Sequence, residues 1–276
     1  MQNYYIFFSS HSSDAAKNEG LLRYRKNVTS QLGEDGIIEK ILEIMSPLEK
    51  WCVEVGAGDG FTLSNTYNLI TAMGWSSVQI EADPEKFAVL QKRYSDNPRI
   101  YRLNRTIDFE GSNAMDQLLG LTPIPTNFDL LSLDIDGNDY HVWDSMKKYR
   151  PRIVIVEFNP TIPNHIQFVQ ARDMRVHQGA SLRALTNLAK EKGYELVCAT
   201  DWNGFYVDRE HYDLFDIPNN SVEEIHKDNK YLTDIFQLFD GTVVLDGCKK
   251  LLWHGIEIDE EQIQPLPKQK RVFPGG

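Results

Sequence analysis

The sequence predicts a Rossmann-like α/β domain: a doubly wound, mostly parallel sheet with helices on both faces. Three observations predict it. Short runs rich in Val, Ile and Leu alternate with segments of helical periodicity between residues 33 and 207. The first of these runs, Trp51–Val55, leads directly into the glycine cluster Gly56-Ala-Gly-Asp-Gly60. Acids (Glu54, Glu81, Asp134, Glu157) stand at or beside the ends of four runs, the edge at which open α/β sheets hold their ligands.

The elements follow in order. Over residues 33–45 apolar side chains recur at helical spacing (Ile37, Ile38, Ile41, Leu42, Met45), and Ser46-Pro47 stops the pattern, so a helix leads the domain. The glycine cluster after the first strand passes into a helical pattern through Tyr67, Leu69, Ile70 and Met73. Residues 77–81 read as the second strand, 84–94 as a helix with proline at an early position, and 99–103 as the third strand. Residues 128–134 are the fourth strand, 140–148 a helix and 152–158 the fifth strand. A helix over 181–192, a strand over 194–199 and another around 204–207 extend the pattern. Strands apolar at nearly every position are buried on both faces, as parallel strands between helix layers are. The expected organisation is an N-terminal extension (1–29), one α/β domain with substrate loops (30–248) and a C-terminal tail (249–276). The tail has no periodicity and is expected to be a free end or the docking arm of a homo-oligomer.

Composition narrows the function classes. A formal charge of -11 argues against a nucleic-acid partner, which calls for a basic face that displaces counterions. The local runs Arg99, Arg102, Arg105 and Lys147, Lys148, Arg150, Arg152 read as solvated helix ends. Cys52, Cys198 and Cys248 are odd in number and far apart, which fits a reducing, cytoplasmic setting better than a disulfide framework. Residues 1–13 lack a basic start and a long apolar run, and no stretch is long enough to span a bilayer, so the chain is expected to be soluble and unprocessed.

The glycine turn is the first candidate site. Glycines let a backbone come close to a ligand, but the dinucleotide spacing G-x-G-x-x-G fails here, because Phe61 takes the third position. Asp59 is expected at the start of the following helix, where a carboxylate repels a pyrophosphate and competes for its amide donors. A cationic ligand suits these charges better. S-adenosylmethionine carries a sulfonium and an ammonium group and no phosphate. Glu81 closes the second strand roughly 20 residues on, where an acid bonds ribose hydroxyls in this class of fold.

Several motifs together resemble the FkbM-like branch of class I S-adenosylmethionine-dependent methyltransferases. They are Ser30-Gln31-x-Gly33-Glu34-Asp35-Gly36, Val53-Glu-Val-Gly-Ala-Gly-Asp-Gly60 with Leu63-Ser-Asn-Thr66, Ile80-Glu81, Leu133-Asp-Ile-Asp-Gly-Asn-Asp-Tyr140 and Val156-Glu-Phe-Asn159. The chain departs from many such proteins in having Asp136 where Glu is frequent, and in a longer C-terminal segment. The resemblance implies a cofactor site of Gln31, Glu54, Gly56, Gly58, Asp59, Gly60, Asn65, Glu81 and Asp134, with the segment around Gln31 as a cover.

Asp134 and Asp136 after the fourth strand, and Glu157 and Asn159 after the fifth, offer hard oxygen ligands. They suit Mg²⁺ or another divalent cation, which binds acceptor hydroxyls and lowers the pKa of the one that reacts. The alternative is that Asp134 bonds the cofactor ammonium, Asp136 and Asp139 shape the turn at Gly137, and Asn159 caps the chain before Pro160. Without a metal a proton acceptor is needed; His165, His141 and His177 are the candidates besides Asp134, and His165 is favoured. Aligning oxygen, methyl carbon and sulfur in a dry site removes much of the barrier, so no strong base is required.

The loops over 158–179 and 208–232 are expected to select a small-molecule acceptor such as a sugar or other polar metabolite, with Trp202, Asn203 and Tyr206 near it. The rival readings are an NAD-dependent oxidoreductase, and a protein that binds the cofactor without methyl transfer.

Overall fold

The computed structural model describes residues 20–227 and 230–274. These fall into two compact units, one ending at His226 and the other beginning at Lys227. Most of the expected N-terminal extension, residues 1–19, lies outside the described residues.

The first unit is built on seven strands: β1 (Trp51–Val55), β2 (Ser76–Glu81), β3 (Ile100–Asn104), β4 (Leu130–Leu133), β5 (Ile153–Glu157), β6 (Tyr194–Ala199) and β7 (Asn203–Asp208). They form one sheet in the order β3-β2-β1-β4-β5-β7-β6. Neighbours from β3 to β5 are parallel, and β7 runs antiparallel to both β5 and β6. Only residues 200–202 separate β6 from β7. A parallel crossover needs a dozen or more residues, so the chain turns back as a hairpin. The order reverses between β1 and β4, and their carboxyl ends therefore flank a crevice where successive crossovers diverge.

The helices are α1 (Glu34–Met45), α2 (Tyr67–Thr71), α3 (Pro84–Arg93), α4 (Met115–Leu119), α5 (Asp139–Ser145), α6 (Leu182–Glu191) and α7 (Val222–Ile225). Successive residues of a strand point to opposite faces, and both faces are covered. On one, Cys52, Leu130 and Ile153 pack with Ile37, Ile38 and Ile41 of α1, Leu69 and Ile70 of α2 and Leu90 of α3. On the other, Val53, Val55, Leu131 and Val154 pack with Leu118 of α4, Val142 and Trp143 of α5 and Leu185 of α6. Each such Leu, Ile or Val contributes about 1.5–3 kcal/mol by leaving water. Asp83 and Ser181 cap α3 and α6 by accepting amides of the first turn.

At the opposite, amino end of the sheet, the buried Asp129 carboxylate accepts the amides of Leu48, Glu49 and Lys50 at 2.6–2.8 Å and pairs with Arg152 at 3.1 Å. It ties the loop before β1 to the starts of β4 and β5.

Two local expectations change. The helix after the glycine cluster starts at Tyr67 rather than beside Asp59, and turns fill residues 61–66. The region expected to be irregular after β7 contains a 3-10 helix over Arg209–Phe215 and α7.

In the second unit, β8 (Thr233–Gln237) and β9 (Val243–Gly247) form an antiparallel hairpin. The Gln264 side chain accepts the Val243 amide at 2.9 Å and donates to the Val243 carbonyl at 2.8 Å, so part of the expected tail is laid against this hairpin. Among the described residues no helix is long and apolar enough to cross a membrane.

Candidate functional site

Strand register brings the singled-out acids into line. Val55 pairs with Ile80 and with Leu133, Leu133 pairs with Val156, and Glu157 pairs with Asn203. One residue further on, Glu81, Gly56, Asp134, Glu157 and Asn203 form a row across the carboxyl ends. Two residues deeper on the same face, Glu54 pairs with Gln79 and Ser132.

Gly56 is required by a close approach. It has φ 78°, and a Cβ there would lie 1.9 Å from the Asp134 carbonyl oxygen, so the turn after β1 crosses directly over the end of β4. The amides of Gly56 and Ala57 both donate to the Ile80 carbonyl at 3.0 Å. The Gly58 amide donates to Glu81 at 2.6 Å, and the second Glu81 oxygen accepts the Asp83 amide at 2.7 Å. Glu81 therefore joins the glycine turn to the start of α3.

Asp59 is used locally. Its carboxylate accepts the amides of Phe61 (2.9 Å) and Thr62 (2.7 Å) and meets Arg93 of α3 at 3.4 Å. Although desolvation opposes it, these hydrogen bonds and the Arg93 charge hold the Asp59 carboxyl below its ordinary value. Since α2 starts eight residues later, Asp59 is not at a helix N-terminus, and part of its charge is answered by Arg93.

Glu54 points below the turn and is buried. It accepts the hydroxyls of Ser64 (2.7 Å) and Thr66 (2.6 Å) and the Asn65 amide (2.8 Å). Burial pushes its pKa up, and the three hydrogen bonds oppose the rise. Asn65 in turn donates to Ser132 of β4 at 3.0 Å. Glu54 and Asn65 thus hold residues 64–66 against the sheet beneath the crevice.

Donor oxygens of Asp134, Asp136 and Glu157 lie within 4.8 Å of one another. Desolvation, and after it the Asp136 charge, raises Asp134 to about 6; a hydrogen bond from Glu157 opposes the rise. Glu157 is raised further by burial and by Asp134, Asp139 and Asp136, so it carries the proton that it shares with Asp134. Asp139 is buried and accepts the amides of Ile135 (2.9 Å) and Gly137 (3.0 Å), closing the turn that presents Asp134 and Asp136. Burial, and then Asp134, raises it to about 7. Asn159, expected as a fourth ligand, spends its oxygen on the amide (3.0 Å) and hydroxyl (2.7 Å) of Thr161 and its nitrogen on the Gln178 carbonyl.

The histidines separate. His165 is near enough to Glu223 of α7 for its charge to help lower that carboxyl, after the larger effect of the Arg183 hydrogen bond. His141 on α5 bonds the Gln170 carbonyl through Nε2 at 2.9 Å and meets the Phe109 ring edge-on. His177 bonds the Asp136 carbonyl at 3.2 Å, which places it next to the acid cluster. Its loop is fastened there, because Asn138 donates to the carbonyls of Asp173 and Val176, each at 3.1 Å. Arg172, stacked on Phe109 at 4.6 Å, belongs to the same loop.

The segment before α1 approaches this row from two sides. Asp35 accepts the amides of Val28, Thr29 and Ser30, and Thr29 donates to the Ser64 carbonyl at 2.9 Å. Buried Glu34 accepts the Thr200 hydroxyl and faces Asn203 at the β6–β7 turn. Gln31 stands exposed between these anchors. Sequence reasoning missed Arg93 and the buried Glu34 partners; both depend on contacts between distant segments, which no local spacing reveals.

No protein-family model matches the sequence, and no curated protein matches it, so the FkbM-like resemblance rests on the motifs themselves. Among solved structures the chain is similar to monomeric WbdD, at 16% identity over 63% of this chain and 40% of that one, with a TM-score of 0.41. It is similar to the CurJ carbon methyltransferase at 11% identity over 63% of this chain and 52% of that one, TM-score 0.42. It is also similar to an S-adenosylmethionine-dependent methyltransferase from Clostridium acetobutylicum at 10% identity over 63% of this chain and 90% of that one, TM-score 0.40. The chain thus spans about half or less of the length of the first two.

Proposed function

We propose that the chain is an S-adenosylmethionine-dependent methyltransferase acting on a hydroxyl of a sugar or other small polar acceptor. The observation that carries this reading is the state of the glycine turn: its Gly58 amide is already taken by the Glu81 carboxylate, and no helix begins at it. A pyrophosphate would find the Gly58 amide occupied and no helix dipole there, and it would face acids. A cationic nucleoside meets the Glu81 carboxylate and the acid pair Asp134–Glu157 at the same edge, in a chain whose net charge is -11.

S-adenosylmethionine, when bound, supplies a methyl group activated by the sulfonium. In this reading Glu81 holds the ribose hydroxyls and the Asp134 side holds the ammonium. Asp134, raised to about 6, is also suited to take the acceptor proton near neutral pH. Glu157, protonated beside it, keeps the pair from carrying two adjacent negative charges. His177 adds a polar group on the wall next to Asp136.

The same cluster favours a second, metal-assisted form of this reading. Three carboxylates within 4.8 Å form a hard oxygen set in which Mg²⁺ would replace the shared proton and bind the acceptor hydroxyl.

Calorimetric titration tests the proposal. S-adenosylhomocysteine is expected to bind and NADH to give no heat; binding of NADH without S-adenosylhomocysteine would replace this reading with an oxidoreductase.

A further inference from the structure

We infer that Arg93 and Tyr94, at the end of α3, are positioning residues that hold the glycine turn in its ligand-binding shape. The inference rests on the cofactor reading above. Neither residue belongs to the glycine motif, and neither lies in the row of strand-end acids.

The two neighbouring side chains seize two neighbouring carbonyls. Arg93 Nε donates to the Asp59 carbonyl at 2.9 Å, and Tyr94 Oη donates to the Gly60 carbonyl at 2.8 Å. Arg93 also meets the Asp59 carboxylate at 3.4 Å and lies over the Phe61 ring at 5.0 Å. Tyr94 is 4% exposed, and a Cβ added to Gly60 would stand 2.8 Å from its ring, so the ring is packed directly against the turn.

The turn needs holding. Gly56, Gly58 and Gly60 all have positive φ, between 55° and 78°, and glycine backbones interconvert readily between basins. On the inner side the Ile80 carbonyl and Glu81 fix the amides of Gly56, Ala57 and Gly58. From within, the Asp59–Gly60 stretch is held by the Gly60 amide on the Ala57 carbonyl and by the Asp59 carboxylate on the Phe61 and Thr62 amides; its two carbonyls are secured from outside by the α3 pair. A turn ordered before the ligand arrives spares the ligand that ordering cost. A hollow of about 560 Å³ on the outer side of the pair is lined by Tyr67, Thr71, Arg93, Tyr94 and residues 96–99. Arg99 shares that hollow but donates to the Gly74 carbonyl, away from the turn, and serves as a control.

The test measures S-adenosylhomocysteine affinity by calorimetry, and amide hydrogen exchange over residues 56–62, in Arg93→Met, Tyr94→Phe, Arg93→Lys and Arg99→Met. Arg93→Met and Tyr94→Phe should each weaken binding roughly tenfold, about the value of one hydrogen bond. Both should speed exchange in the free protein, with protection restored by saturating ligand, and Arg93→Lys should recover part of the affinity. Arg99→Met should bind as the parent does. If the parent binds and both Arg93→Met and Tyr94→Phe bind equally well, the positioning role is wrong, whatever their thermal stability. If the parent itself does not bind, the cofactor reading fails instead.

Discussion

Asp134 and Glu157, at the ends of neighbouring parallel strands, hold carboxyl oxygens within 4.8 Å of one another, and burial together with the Asp134 charge pushes Glu157 up. Two carboxyl groups so placed cannot both ionise cheaply, and Asp139 and Asp136 add to the strain. Folding thus concentrates negative charge where a cation or a proton must answer it.

Stability should therefore fall as pH rises through mildly acidic values. Asp134 is raised from 3.8 to about 6, Asp139 from 3.8 to about 7 and Glu157 from 4.5 to about 10, so from about pH 4 to 7 these acids hold more protons in the folded chain than in the unfolded one, and Glu157 continues to do so above pH 7. The excess stabilises the fold at the acidic side of that window and is lost as pH rises through 6 and 7, with the Glu157 share lost at higher pH. The ligand-free protein should melt at a higher temperature at pH 5.5 than at pH 8, and Glu157→Gln should raise the melting temperature at pH 8 and flatten the profile. A profile that climbs from pH 5.5 to pH 8 contradicts this.

Glu81→Ala is expected to weaken S-adenosylhomocysteine binding by roughly 10- to 100-fold, the value of a charge-assisted hydrogen bond. Glu81→Gln keeps an oxygen for the Gly58 amide and should lose less. Equal affinity of parent and Glu81→Ala in a calorimetric titration would remove Glu81 from the site.

For the metal-assisted form, adding Mg²⁺ or Mn²⁺ to the ligand-free chain should raise its melting temperature, because a ligand that binds only the folded state stabilises it. Asp136→Asn should abolish the rise while leaving S-adenosylhomocysteine affinity intact. No rise with either ion in the parent would leave the proton as the only partner of these acids.

Glu54→Leu tests the polar layer beneath the turn. The change strands the hydroxyls of Ser64 and Thr66 and the Asn65 amide, and a buried network broken on one side costs about 3–5 kcal/mol. Urea denaturation should show that loss; a loss below about 1 kcal/mol would mean that these donors find other partners.

Legibility differed by element. The strands at Trp51–Val55 and Ile153–Glu157 were plain because both carry apolar runs of strand length. The β8–β9 hairpin was missed although Asp240-Gly241 stands between two apolar runs, a strong hairpin signal. The late start of α2 was hidden because the helical pattern around Tyr67 gives no sign that residues 61–66 first spend their amides on Asp59 and Glu54.

The sequence by itself determined the doubly wound sheet, the sharp turn after the first strand and the presence of acids at the strand ends, because periodicity and turn chemistry are written in adjacent residues. Only the tertiary structure decided what each polar group faces. Asp59 meets Arg93 across 34 positions, the Asn159 nitrogen is spent on the Gln178 carbonyl, His177 bonds the Asp136 carbonyl, and Glu157 is pushed up by Asp134 on the neighbouring strand. Such pairings depend on strand register and loop closure, which bring distant residues within a few ångströms and which no local pattern encodes.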